Sequence, residues 1–309
     1  MLRFILRRFV YGLITLWVII TLTFILMHSL PGDPFAAGDK LSDSARAVLM
    51  ARYGLDQPIY MQYATYLKNL LHLDMGVSFF YPTREVNQII SQNFPVSAEL
   101  GAYALVLSIT IGLTLGSIAA LNHNGPMDYT AMVTAIVGVS VPSMVLGPLL
   151  AYGLGVKLGW FPPALWLGPE YKILPSITLS FGTIAVMARM MRTSMLDVIG
   201  QDYIKTAKAK GLSKTAIVFK HTIRNAMLPI ITIAGPLVVN IMTGTFIVEN
   251  VFAVPGLGKH FIQSIQTNDY TIIMGMTIFY SALLIAAIVV TDILYGVIDP
   301  RIRLAKGGK

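Results

Sequence analysis

Two glycine–lysine stretches come closest to a phosphate-binding loop: Gly258-Lys259, and Gly211-Leu212-Ser213-Lys214-Thr215. Such a loop needs G-x-x-x-x-G-K-[ST]. Its backbone N–H groups cradle the phosphates, its Lys reaches the terminal ones and its hydroxyl holds magnesium. Ala253 stands where the first Gly is required before Gly258, and His260 follows Lys259 in place of Ser or Thr. In the second stretch Ser213 replaces the Gly that should precede the Lys. The chain is therefore not expected to hydrolyse ATP itself. The five histidines, His28, His72, His123, His221 and His260, contain no H-E-x-x-H and no i, i+4 pair, which argues against a metal site. Cys is absent, so thiolate ligands, disulfides and a Cys nucleophile are excluded. Ser, His and Asp do not group in any nucleophile motif, and no catalytic residue is assigned.

Three acids sit at the edges of apolar segments: Glu99, Glu249 and Asp292. An ionisable group in a membrane is by default a candidate for ion or proton transfer. A proton relay needs such groups at mid-membrane, whereas these lie near the interfaces, so structural pairing is the expected role. His28, near the end of the first apolar run, is read as a hydrogen-bonded packing residue. What remains is Asp197–Pro229, DVIGQDYIKTAKAKGLSKTAIVFKHTIRNAMLP, the longest basic run in the chain. Lys205, Lys208, Lys210, Lys214, Lys220 and Arg224 stand against only Asp197 and Asp202. Tyr203–Lys210 holds good helix formers, Gly211 is placed as a stop, and Ser213 can cap a second helix running to about Met227, before Pro229. Apolar Ile204, Ala207, Leu212, Ala216, Ile217 and Phe219 are interleaved with the charges. That mix suits a partner's groove better than a solvated, lipid-facing basic loop.

The elements that carry these residues follow from composition. The 309 residues are 55% hydrophobic and 12% charged, with mean hydropathy +0.68. Soluble domains carry about 25% charged residues, so an all-α integral membrane protein is expected. The net charge of +8 does not signal nucleic acid, because the charges cluster between apolar segments. Phe9–Leu30 is apolar over 22 residues, about 33 Å of helix against a ~30 Å core. It is longer than a signal-peptide core and no small-residue cleavage site follows, so it is read as an uncleaved span. Five more spans are predicted: Leu100–Leu121, Tyr129–Val156 with Pro142 and Pro148 inside it, Ile173–Met191 with Arg189, Ala226–Val248 with Pro229 and Pro236, and Thr271–Tyr295 with Asp292. Gly112-x-x-x-Gly116 permits close helix approach.

With six spans, fifteen of the 23 Lys and Arg fall on one side, including Arg3, Arg7, Arg8, Arg192, Arg301, Arg303, Lys306 and Lys309. The positive-inside rule makes that side cytoplasmic and puts both termini there. Residues 31–97 are mixed in polarity and are read as a small folded extracytoplasmic region. In it, Pro58 opens a helix with Ile59, Tyr63, Tyr66, Leu67 and Leu70 on one face. The organisation is thus 1–30 for the N-terminus and first span, 31–97 for the extracytoplasmic helical insertion, and 98–309 for a core of five spans with the basic loop at 193–228.

The basic stretch resembles the cytoplasmic "EAA" loop of binding-protein-dependent ABC import permeases. That pattern, E-A-A, three residues, Gly, and a later Leu-Pro, falls on Lys205-Thr206-Ala207, Gly211 and Leu228-Pro229. Lys205 and Thr206 depart from the E-A pair, a departure usual in the peptide branch. PGDP at 31–34, YGLDQP at 53–58, Asp74-Met75-Gly76 with Ser78, FPVS at 94–97, VPS at 141–143, RMMRTSML at 189–196, ENVFAVPGLG at 249–258, NDY at 268–270 and IDPRIR at 298–303 point to the same branch. The chain looks like a B-type permease subunit of an oligopeptide importer.

The resemblance implies a type I ABC importer in a bacterial inner or plasma membrane. A C-type permease would complete the pore, two ATP-binding subunits would hold ATP and magnesium, and an extracytoplasmic binding protein would deliver peptide. No cofactor is implied in this chain. Lys205, Thr206, Ala207, Lys208, Lys210, Gly211, Leu212 and Ser213 would form the coupling contact, within a helix over Lys205–Arg224 docked on one ATPase. A dipeptide or nickel permease shares most of these motifs. A peptide–proton symporter would need buried mid-span acids and internal repeats, which are not read here, and an intramembrane enzyme lacks its constellation.

Overall fold

The computed structural model describes residues 2–29, 43–81 and 83–298. The PGDP motif at 31–34 and the basic tail at 301–309 lie outside them. No strand occurs among the described residues, which hold only an isolated bridge between Val77 and Glu85. Helices α1 (Leu2–Ser29), α2 (Asp43–Tyr53), α3 (Ile59–Leu71), α4 (Val86–Leu121), α5 (Pro126–Ser140), α6 (Ser143–Leu150), α7 (Ile173–Ile199), α8 (Asp202–Ala209), α9 (Lys214–Ala216), α10 (Arg224–Val251), α11 (Leu257–Gln266) and α12 (Tyr270–Ile298) follow in chain order. A π-helical segment, Ala151–Lys157, extends α6, and a second, Ile217–Ile223, joins α9 to α10.

Among the described residues four helices are long and apolar enough to cross a membrane: Ile5–Ser29, Val86–Leu121, Pro169–Ile199 and Tyr270–Ile293. The predicted third span, Tyr129–Val156, is not one helix. α5 and the segment Ser143–Lys157 meet at 105°, and they add a fifth span only when taken together. The cause is local. Val141 precedes a proline, which disfavours the helical region; it is extended at φ −92°, ψ 112°, and Pro142 then stands at the start of α6. The second predicted span, Leu100–Leu121, lies within a longer helix: α4 begins at Val86 and carries Pro95 inside it.

Two compact units emerge, Met1–Ser97 with Pro255–Ala286, and Ala98–Val254 with Ala287–Lys309. In the first, Phe24, Leu49, Phe79, Tyr270 and Met274 form a buried cluster, with Met50, Tyr53, Tyr63 and Tyr66 packed against it. Of the face predicted for α3, Tyr63 and Tyr66 thus turn inward, whereas Ile59 is exposed. His28 is held as read from sequence: Nδ1 lies 2.9 Å from the Phe24 carbonyl, Nε2 3.1 Å from Gln62 Oε1, and its ring stacks on Phe24. A cavity of about 270 Å³ is lined by Phe24, Met50, Tyr53, Tyr66, Phe79 and Met274 among others. Asp269 staples this unit. Its carboxylate accepts from Ser78 Oγ at 2.5 Å, Thr271 Oγ1 at 2.8 Å, and the backbone N–H groups of Phe79, Phe80 and Ile272. Two motifs noted separately, Asp74–Ser78 and Asn268–Tyr270, therefore serve one junction. Ser97 likewise accepts the N–H of Leu257 at 2.9 Å, joining FPVS to VPGLG.

In the second unit α7 is central and packs against α5, α6 and α10. Gly112 and Gly116 lie against α7. A Cβ on Gly112 would stand 2.5 Å from Met187 Cβ, and one on Gly116 would collide with the Ala188 carbonyl and Met191. The outer face of α5 and α6 leaves Val133, Ile136, Val137, Met144, Val145 and Leu149 exposed, an apolar surface too large to stand in water.

Candidate functional site

The basic stretch folds into two short helices that share a small core. α7 ends at Ile199, Gln201 is extended, and α8 starts at Asp202, whose charge suits a helix N-terminus. α8 ends in a Schellman turn. The Gly211 N–H donates to the Lys208 carbonyl at 3.0 Å and the Leu212 N–H to the Ala207 carbonyl at 3.3 Å. This turn needs a left-handed residue, and Gly211 supplies it at φ +75°. Ser213 then caps α9, its hydroxyl accepting the Ala216 N–H at 3.3 Å. Ile204, Ala207 and Ile217 are buried together, with Val198 and Leu212 packed on them.

That core corrects one expectation. Ile204, Ala207 and Ile217 do not offer an apolar face to a partner; they hold the two helices to each other. The outward apolar groups are Tyr203 and Phe219, 44% and 66% exposed. Of the residues assigned to coupling, Lys205, Thr206, Lys208, Lys210, Gly211 and Ser213 are exposed, Leu212 is half-buried and Ala207 is buried. Lys205 pairs with Asp202 at 2.8 Å, an exposed contact worth little.

A second expectation also changes. The helix after Ser213 is expected to end at about Met227 and the fifth span, with Pro229 and Pro236 inside it, to begin separately. Instead helical structure is continuous from Lys214 through the π segment to Val251, with Pro229 and Pro236 inside α10. Membrane helices tolerate interior prolines because neighbouring groups take up the freed carbonyls. The widened turn is itself tied by Thr222, whose hydroxyl donates to the Ile217 carbonyl at 3.2 Å. The second half of the knob thus runs into α10 with no break in helical structure.

The acids at span edges resolve differently from one another. Glu99 pairs with Lys172, whose ammonium also lies 5.3 Å from the Trp166 ring centroid. Glu249 is fully buried and Asp292 half-buried. Gly258-Lys259 falls inside the first turn of α11, not in a loop that could wrap a phosphate. One constellation escaped the sequence reading. Asp128, just before the third predicted span, is buried and gripped by the Arg192 fork at 2.5 and 2.7 Å. His123 Nδ1 stands 3.3 Å from the same carboxylate. The available signal was that Asp128 is the sole charged residue between Leu121 and Tyr129.

Comparison with known proteins supports this architecture. Residues 112–304 match the family described as "Binding-protein-dependent transport system inner membrane component", and residues 1–101 match the N-terminal component of the same system. The chain is 46% identical over 308 residues, all of both chains, to a dipeptide transport system permease protein, DppB, of Bacillus subtilis. It is 42% identical over 305 residues to an oligopeptide transport system permease protein, OppB, of Haemophilus influenzae, covering 98% of this chain and 100% of that one. Among solved structures, an inward-facing MetNI methionine ABC transporter shares the fold, with a TM-score of 0.55, 16% identity, and coverage of 68% of this chain and 96% of that one. With apolar helices long enough to span a bilayer, a basic knob between two of its helices, and these full-length relatives, this chain belongs to the family of binding-protein-dependent transport system inner membrane components.

Proposed function

We propose that this chain is one of two permease subunits of an ATP-driven importer of short peptides. Its relatives are named for dipeptide and oligopeptide transport and align over their whole length. The chain crosses the membrane six times in this reading. α5 with α6 forms one broken span, and α10, with 28 residues or about 42 Å of helix, completes the six. Both termini and the basic knob are cytoplasmic, residues 31–97 extracytoplasmic, and the membrane is the bacterial inner membrane. The partners are a second, C-type permease, two ATPase subunits that hold ATP and magnesium, and an extracytoplasmic peptide-binding protein.

The observation that carries the coupling role is the continuity of the knob with α10. ATP-driven closure of the ATPases would displace the knob, and from Lys214 to Val251 the chain stays helical, so a displacement entering there is passed to α10. Lys205, Thr206, Lys208, Lys210, Gly211 and Ser213 present polar groups to the ATPase groove. Tyr203 and Phe219 supply its apolar anchors, and Ala207 and Leu212 stiffen the turn between. The purified complex in liposomes, with binding protein and ATP, tests this directly. ATP-dependent accumulation of labelled di- and oligopeptides that survives an uncoupler is expected. Uptake that collapses with the proton gradient at constant ATP would favour a symporter, and nickel uptake in place of peptide would move the chain to the nickel branch.

A further inference from the structure

The ion pair between α5 and α7, an arginine fork on a buried carboxylate, plays no part in the reading above. Asp128 sits in the first turn of α5 and is 3% exposed. Arg192 Nε donates to Oδ1 at 2.5 Å and its terminal nitrogen to Oδ2 at 2.7 Å. Oδ2 also accepts the Asn124 N–H at 2.9 Å and lies 3.3 Å from His123 Nδ1. α5 and α7 also pack closely away from this pair. Ala131 and Ala135 are buried along α5, and a Cβ added at Gly138 would stand 3.0 Å from Ala185 Cβ, tight packing without any charge.

A buried ion pair is weak evidence of stabilisation, since apolar replacements of similar volume are often neutral or better. What a bidentate Arg–carboxylate pair does supply is geometry: two parallel bonds admit one relative position of the helices that bear them. The position is telling. Arg192 precedes the end of α7 at Ile199 by seven residues, about 10 Å, and the basic knob hangs from that end through Gly200. Asp128 stands at the start of α5, whose far end is the 105° bend at Val141-Pro142.

We propose that Asp128 and Arg192 form the positioning pair of energy coupling. They lock the start of α5 to the end of α7, so that displacement of the knob is delivered to the α5–α6 bend and is not lost as slip between helices. This rests on the coupling role of the knob proposed above. The physical content is continuous helix on both sides of a single-geometry joint, with a bend as the element free to change.

The test measures peptide taken up per ATP hydrolysed in the complete transporter in liposomes, for Arg192→Lys, Asp128→Asn and the exchanged pair D128R/R192D. Arg192→Lys keeps the charge and loses the fork. Both single variants are expected to assemble and hydrolyse ATP while the ratio falls about tenfold, within the usual span of coupling energies. The exchanged pair is expected to recover part of it. A wild-type ratio in the single variants overturns the proposal, as does uptake that falls only in step with the amount of assembled complex. Where a single variant fails to assemble, the exchanged pair decides: restored assembly without a restored ratio overturns it. A wild-type complex without ATP-dependent uptake would sink the coupling reading itself, before any variant is made.

Discussion

The Ser78 hydroxyl donates to the Asp269 carboxylate across 2.5 Å, joining residues 191 positions apart. Around that bond four more donors converge on the same side chain, which is 1% exposed. A carboxylate so enclosed is held by its donors, and they by it. Asp269→Ala should leave several buried donors without a partner, at about 1–3 kcal/mol each. The purified protein should lose heat stability by well over ten degrees or fail to accumulate. An unchanged melting temperature would show that water or a rearranged turn replaces the carboxylate.

The Schellman turn makes a graded prediction at Gly211. A Cβ there meets nothing within 4 Å, so only backbone strain opposes a side chain. Gly211→Ala should cost about 1–2 kcal/mol locally, and Gly211→Asn less, because Asn accepts the left-handed region. Gly211→Pro should abolish ATP-driven uptake while the complex still co-purifies. Uptake at wild-type level in the Pro variant would remove the knob from the coupling path.

Inside and outside of the knob should separate cleanly. Ile204→Ala removes a fully buried side chain and should cost about 2–5 kcal/mol, seen as early proteolysis within residues 200–220. Phe219→Ser alters an exposed side chain, so stability should hold while ATPase co-purification weakens. Equal loss of ATPase from both variants, with equal protease resistance, would contradict this assignment.

His260 carries a pH signature. Burial holds its imidazole below the ordinary histidine range, with Arg84 and Lys259 adding like charge. A depressed folded-state value means that the unfolded chain takes up the proton first as pH falls. Stability is therefore complete above about pH 6.5 and declines below it. Melting temperature should drop between pH 7.5 and pH 5.5, and His260→Gln should flatten that part of the profile. An identical profile in the variant would assign the loss to other groups.

What the sequence made legible was chemistry that acts over a few residues. Gly211 as a stop and Ser213 as a cap are short-range signals, and both occupy those positions. The packing face of Gly112 and Gly116 was equally readable, though its partner α7 was not. Ile204 and Ile217 were assigned outward because charges flank them; their burial depends on how two short helices fold back on each other, which no periodicity over eight residues reveals. Pro229 lies inside the fifth predicted span, but rules for helices in water end the knob's second helix just before it. Asp128 and Asp269 were overlooked or left unexplained because their partners, Arg192 and Ser78, lie 64 and 191 residues away.

The break between α5 and α6 has a consequence for where solvent goes. Pro142 provides no side-chain cap for α6; its carbonyl accepts the N–H groups of Val145 and Leu146 at 2.9 and 3.0 Å, which leaves those of Ser143 and Met144 with no acceptor within the helix. Acyl chains offer none. Irregular backbone at membrane depth survives only where other protein covers it or water reaches it. With α5 and α6 as the broken span proposed above, Val141-Pro142 marks a wetted or protein-covered edge of this subunit, and a thiol introduced at Ser143 would be the place to look for labelling by a membrane-impermeant reagent during transport.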